Sequence, residues 1–400
     1  MRSIYWVRDD LRLHDNHTLC QFAEHSQEGV LVWAPSRSFL RAGAKRRSFI
    51  LQTLKLFAGE VAQRGGKLLL LEDLAAFIQQ NQVQDVYFTT GATTEEQQDE
   101  AALRLAMTAR LHGIQQNSLL ADSDLPFKIA NLPDVFTSYR KKVEAQVSVR
   151  PTLGAPKLLP PAWELVGVTL FHSDHEKDFH PQIAPGEAAG LARIQEYFWQ
   201  LDRLKVYKET RDGMLDWNDS SKLSPWLSIG ALSPREIYRQ IKLYEEERGA
   251  NESTYWLYFE LLWRDYFRLV ALKKGASLFT LQGTSDLSLE QQEKRFKNWC
   301  AGKTKDDFVD ANMNELNRTG WMSNRGRQNV ASYLAKTLQV PWQWGASYFE
   351  EQLIDYDPCS NWGNWAYLAG VGQDPRNRVF NTQLQAERYD GEGLYRAKWR

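Results

Sequence analysis

The chain has 400 residues, 43% of them hydrophobic and 25% charged, with a formal net charge of −1; that is too much chain for one small core and suits two or three domains. The near-neutral balance excludes wholesale electrostatic adhesion to nucleic acid, so any such site must be a local patch. No apolar run approaches the ~18 residues of a spanning helix, and the start MRSIYWVRDD lacks a charged region followed by a long apolar one, so no membrane partner and a cytoplasmic address are expected.

Through the first 120 residues the β-rich runs SIYWVR, VLVWAP, KLLLLE and DVYFTT alternate with the helical stretches RRSFILQTLKLFAGEVAQRG and EEQQDEAALRLAMTARLHG. This rhythm predicts βαβ units and a doubly wound parallel sheet covered by helices, an α/β domain over residues 1–130. No G-x-G-x-x-G follows the first strand, so a nucleotide cofactor is expected elsewhere. Residues 131–186 read as an interdomain linker, proline-rich and without sustained periodicity from residue 151. His172, His175 and His180 stand there among charged residues and prolines, which predicts a solvated segment and no metal site. Cys20, Cys300 and Cys359 are too few and too scattered for a disulfide framework. From Glu187 onward, AAGLARIQEYFWQLDRL, SPREIYRQIKLYEEER, STYWLYFELLWRDYFRLVALK, NRGRQNVASYLAKTL and WGASYFEEQL each keep an apolar face of period 3.6. They predict a large all-α domain over residues 187–400.

Within that half, SSKLSPWLSIGALSPREI (220–237) sets hydroxyls and backbone amides before prolines at helix starts. Such turns can hold phosphates, and they are also ordinary capping pairs. In YWLYFELLWRDYFR, Glu260, Trp263 and Arg264 stand at i, i+3 and i+4, so a carboxylate, an indole and a guanidinium share one helix face, as base recognition needs. GWMSNRGRQNVASYLAK brings Asn324, Arg327 and Gln328 within about one turn. LIDYDPCSNWGNWAYLAGVG (353–372) crowds acids, asparagines and aromatics into an apolar setting that demands a partner for each polar group. Twelve of the fifteen tryptophans follow residue 187; most such rings fill cores, but the excess suits a flat ligand.

These segments, with RDDLRLHDN, YKETRDG and KTKDDFVDANMNEL, resemble the photolyase and cryptochrome family, and most of all its DASH-type cryptochromes, in order from residue 4 to about residue 399. The resemblance implies an N-terminal α/β domain, a long linker and a helical domain that holds FAD in a U-shape. It implies that Tyr207 and the run Ser220, Ser221, Lys222, Leu223 and Ser224 hold the FAD phosphates, with Arg264 close by. Arg327 would pair with Asp355 beside the isoalloxazine, and Asn324, Asp355 and Asp357 would supply polar contacts. Asn361 would face flavin N5. Trp365, one helical turn further on, would donate electrons; Tyr367, about 200° around the helix from Trp365, would point instead into the substrate pocket.

The implied reaction is electron transfer from photoexcited reduced FAD to a cyclobutane pyrimidine dimer in DNA, with single strands preferred; blue-light signalling without turnover is the other reading. Glu260 would hydrogen-bond the damaged base, and Trp263 with Tyr367 would stack against it. A monomer is expected. All seven histidines lie at or before His180, which disfavours pyrimidine-pyrimidone photoproducts, whose repair depends on a histidine in the pocket. FTSYRKKVEAQV resembles the segment that binds a 5,10-methenyltetrahydrofolate antenna, with Glu144 as the pterin contact. Trp365 and Trp342 match the first two members of the family's electron relay. LQGTSDLSLEQQEKRFKNW, where a third is sought, has no tryptophan before Trp299, which leaves a route through Trp344 or Tyr348 open. Signalling members often append a long tail; after GEGLYRAKWR none is expected here.

Overall fold

Strands with apolar residues at every position need cover on both faces, and the first β-rich runs are of this kind. In the computed structural model, which describes residues 1–106, 108–165, 177–280, 287–372 and 379–400, they form one five-stranded parallel sheet. Its strands are β1 (Arg2–Val7), β2 (Glu28–Trp33), β3 (Leu68–Leu70), β4 (Asp85–Thr89) and β5 (Arg110–Ile114), in the order β3-β2-β1-β4-β5. Ile4 pairs in register with Val30 on one side and Val86 on the other. Alternation sends Ile4, Val30, Val32, Val86 and Phe88 into one apolar layer and Tyr5, Val7, Leu31, Trp33 and Tyr87 into the main core.

The helical reading of residues 95–113 overshoots. The helix is Thr94–Ala106 and Arg110–Ile114 is a strand. The sheet, more than local propensity, makes it one: Asp85 of β4 takes Arg110 at 2.7 Å and His112 at 2.7 Å, and the His112 ring stacks on Tyr87 at 4.5 Å. A polar edge strand carries no alternating apolar signature.

Within 131–186, residues Phe136–Gln146 form a helix, while the described stretches 147–165 and 177–186 are irregular. His172 and His175 lie outside the described residues. His180 is not solvated as expected: it is 7% exposed, stacked on Trp217 at 4.5 Å. Among the described residues no cluster of His, Cys, Asp and Glu could hold a metal ion, and no helix is long and apolar enough to cross a membrane.

Burial, with Lys222, Lys398 and Lys177 adding to it, pushes the His180 imidazole down to about 4. Below its ordinary value near 6.5 the unfolded chain takes up a proton that the folded one refuses, so stability falls as pH drops from about 6.5 to about 4. That contribution is on the order of 2 kcal/mol once screening at the exposed edge is allowed for. His180→Phe, which keeps the stack, is expected to flatten the urea midpoint across this window; an acid limb equal to wild type would show that other groups set it.

The helical half is built on two long elements. Glu252–Lys274 starts at a capping box, Asn251 with Thr254, and ends at Gly275. Pro358–Ala369 starts with Asp357 as N-cap and Pro358 in the first turn, and ends at Gly370 in the left-handed conformation. These two helices pack against each other, and Pro358–Ala369 also packs on Trp342–Gln352 and Asn324–Ser332.

Candidate functional site

The polar turn 220–224 is shaped by a residue that pattern-reading missed. Arg193, in the helix Glu187–Ile194, donates to the carbonyls of Ser221 (3.0 Å) and Ser220 (3.3 Å), and Thr210 donates to the carbonyl of Asp219 at 2.8 Å. With carbonyls tied on one side, the amides of Ser221, Lys222, Leu223 and Ser224 donate to no acceptor among the described residues. Lys222 makes the bend at φ 57°. Its ammonium lies over the Trp321 ring at 4.3 Å and the Trp217 ring at 5.5 Å, and burial lowers it to about 8. Lys222 therefore holds the turn from behind. Tyr207 is buried nearby, its helical turn packed on Glu252–Lys274.

Next to this turn the Ser224 hydroxyl donates to Asp355 at 2.6 Å. Arg327 reaches both carboxylate oxygens of Asp355, at 3.0 and 2.8 Å, and its Nε donates to the Met322 carbonyl at 2.9 Å. The Asp355 side chain is 1% exposed, so this pair is an interior one and depends on both partners. Arg264 lies 3.7 Å from Asp357 and donates to the carbonyls of Asn117 and Leu227, bridging the two halves of the molecule. Asn361 anchors one amide hydrogen on the Ala346 carbonyl at 3.0 Å, which leaves its Oδ1 as an acceptor. Asn324 is exposed in the first turn of Asn324–Ser332. Gln328 accepts from Arg325 at 2.9 Å and Arg325 pairs with Asp212 at 2.7 Å.

Trp263 and Tyr367 come together, with Glu260 one turn before Trp263 on the same helix, and with two modifications. Arg211, also unanticipated, donates to Glu260 at 2.6 Å; burial pushes that carboxyl above its ordinary value and Arg211 opposes the rise. Trp263 is not a free stacking platform, because Phe136 lies flat on it at 3.7 Å and 11°. Tyr367 meets the indole edge-on at 6.3 Å. A contact between residues so far apart in sequence has no local signal.

Trp365 and Tyr367 diverge, as helical geometry predicts. Trp365 is 2% exposed and edge-on to Phe349 at 5.1 Å and Trp299 at 6.1 Å, whereas Trp342 meets Trp362 at 5.7 Å. Glu144 accepts from Tyr255 at 2.7 Å and stands 3.8 Å from Arg140. It does not line the cavity of about 1290 Å³ that opens beyond the C-terminal ends of β1 and β2, between Trp33, Arg46 and Trp362.

Residues 3–160 match the family model described as DNA photolyase, and residues 256–400 match the FAD binding domain of DNA photolyase. The chain is 43% identical to a cryptochrome DASH of Synechocystis, over 99% of this chain and 86% of that one. It is 42% identical to a cryptochrome DASH of Xenopus laevis, over 98% and 81%. The chain belongs to the photolyase and cryptochrome family.

Solved members of this family superpose over the whole chain. The Synechocystis cryptochrome structure does so with TM-score 0.91 and 40% identity, covering 100% of this chain and 88% of that one. An archaeal photolyase from Sulfolobus tokodaii holding two FAD molecules gives 0.81 and 26%, covering 100% and 90%. FAD is the cofactor of this photolyase/cryptochrome domain. The polar turn at 220–224 precedes the matched FAD-binding span, and its fit to the cofactor rests on geometry. Four unpaired amides suit a diphosphate, and the Arg327–Asp355 pair with the Asn361 acceptor suits a polar ring edge.

Proposed function

We propose that the protein repairs cyclobutane pyrimidine dimers in DNA under blue light, single strands being preferred. The observation that carries this reading is that two helices hold both walls of the site. Trp263, one turn after Glu260 on Glu252–Lys274, meets Tyr367 on Pro358–Ala369, and the Arg264–Asp357 pair joins the same two elements at the start of the second helix. Base wall and cofactor wall are thus parts of one rigid pair.

Bound reduced FAD supplies, when excited, one electron to the lesion and receives it back. The chain's own residues do the rest. Tyr207, Ser220 and the amides of Ser221, Lys222, Leu223 and Ser224 hold the phosphates, with Arg264 adding positive charge. Asp355, oriented by Arg327 and Ser224, and Asp357 and Asn324 supply polar contacts. Asn361 Oδ1 would accept a hydrogen bond from a proton-bearing ring nitrogen without imposing a charge. Glu260 hydrogen-bonds the extruded base, and the Trp263 edge and Tyr367 close on it; unstacking is least costly for damaged or single-stranded sites. Trp365 serves electron supply, with Trp342 a secondary route, and Glu144 is the contact for a methenyltetrahydrofolate antenna. No histidine follows His180, which disfavours pyrimidine-pyrimidone photoproducts, whose repair depends on a histidine in the pocket.

The relatives' name, cryptochrome, favours signalling as the second reading. Anaerobic illumination of the FAD-reduced protein with dimer-bearing oligonucleotides separates the two. Repair predicts a light-dependent return of pyrimidine absorbance, faster on single strands than on duplex. Signalling predicts no return on either.

A further inference from the structure

Electrons reach a buried flavin from outside only by hops between oxidisable rings, since tunnelling falls exponentially with the gap between ring edges. We propose that in this protein the relay from Trp365 leaves through Trp299 and Tyr348. This rests on the proposed placement of the flavin beside Trp365.

The ring contacts carry it. Gly345 makes the berth for Trp365, because a Cβ there would lie 2.2 Å from the indole. So seated, Trp365 is edge-on to Trp299 at 6.1 Å and 72°. Trp299 is fully buried and edge-on to Tyr348 at 5.9 Å and 66°. Tyr348 is half-buried, so the third ring reaches solvent. Trp344 is a poorer exit: its ring partner here is Phe296, at 5.4 Å, a side chain that is hard to oxidise. Trp342 meets Trp362 at 5.7 Å, and Trp362 lines the cavity between the two halves.

Hydrogen bonding favours the same route. The Trp299 indole N–H donates to the Val330 carbonyl at 3.0 Å, a dipole that stabilises positive charge on the ring. The buried Trp342 N–H has no acceptor among the described residues. The Tyr348 hydroxyl donates to Asn317 Oδ1 at 2.6 Å, and burial keeps the phenol protonated far above neutral pH. Tyr348 therefore gives up its electron together with its proton, which passes to water because a neutral amide cannot keep it.

The electrons balance as follows. Trp365 gives one electron to the photoexcited oxidised flavin, Trp299 refills Trp365, and Tyr348 refills Trp299. An external thiol returns one electron and one proton to Tyr348, and two thiols end as one disulfide for each two electrons delivered.

The test uses the full chain loaded with FAD, its content fixed by absorbance, illuminated with dithiothreitol present. Photoreduction is followed by flavin absorbance and the trapped radical by electron paramagnetic resonance. Trp299→Phe and Tyr348→Phe are expected to slow photoreduction on the order of tenfold, Trp342→Phe to slow it less than either, and the tyrosyl signal of wild type to vanish in Tyr348→Phe. Should Trp299→Phe fail to fold, Tyr348→Phe carries the test, since it deletes one hydroxyl from a half-buried ring. An unchanged rate and signal in Tyr348→Phe, or a larger loss in Trp342→Phe, overturns the relay. Wild-type protein that takes up no FAD overturns the proposed function instead.

Discussion

Arg327→Ala is expected to yield a colourless protein that unfolds more easily than wild type by about 3 kcal/mol, the cost of leaving a buried carboxylate without its cation. Asp355 is the carboxylate in question, its side chain 1% exposed, and with Arg327 gone only the Ser224 hydroxyl at 2.6 Å remains to it among the described residues. The two consequences separate in a double variant. Arg327→Ala with Asp355→Asn removes the unpaired charge, so most of the stability returns, while the polar edge that would meet the flavin stays broken and FAD content stays low. Urea midpoints and FAD absorbance on the same samples check both. If the single variant keeps its FAD, the pair is merely structural.

Glu260→Ala is expected to act in opposite directions on damaged and undamaged strands. Loss of a charge-assisted hydrogen bond costs about 1.5–3 kcal/mol, or roughly 10–150-fold in affinity for the lesion. Undamaged single strands should bind somewhat more tightly and with a steeper salt dependence, because Arg211, held by Glu260 at 2.6 Å, is released to meet phosphate. Glu260→Gln keeps an acceptor for the base but lowers the charge, so it should lose less discrimination and show the same steeper slope. Fluorescence anisotropy at several salt concentrations with labelled oligonucleotides reads all three. Equal losses on damaged and undamaged strands would assign Glu260 to general strand binding.

What could be read in the sequence was whatever is written locally. The D-P start and glycine end of Pro358–Ala369 fix that helix, the i, i+4 spacing places Asn361 beside Trp365, and the 3.6 period marks Glu252–Lys274 throughout. What escaped depends on distant chain. Phe136 covers Trp263 from a segment read as linker, and β5 is a strand because Asp85 and Tyr87 hold its polar residues. Arg193 looked like one more residue on an amphipathic helix, yet it turns the carbonyls of 220–221 away from the site. Trp299 and Trp342 are alike as letters; only the packing sets one against Trp365 and the other against Trp362.

Diffraction from crystals of the FAD-loaded protein tests the central claim most directly. The account predicts one bent FAD among the helices, its phosphates on the amides of 221–224 and its ring between the Arg327–Asp355 pair and Asn361. Electron density that puts the flavin only in the cavity beside Trp33 and Arg46, with the turn at 220–224 bare, would contradict it.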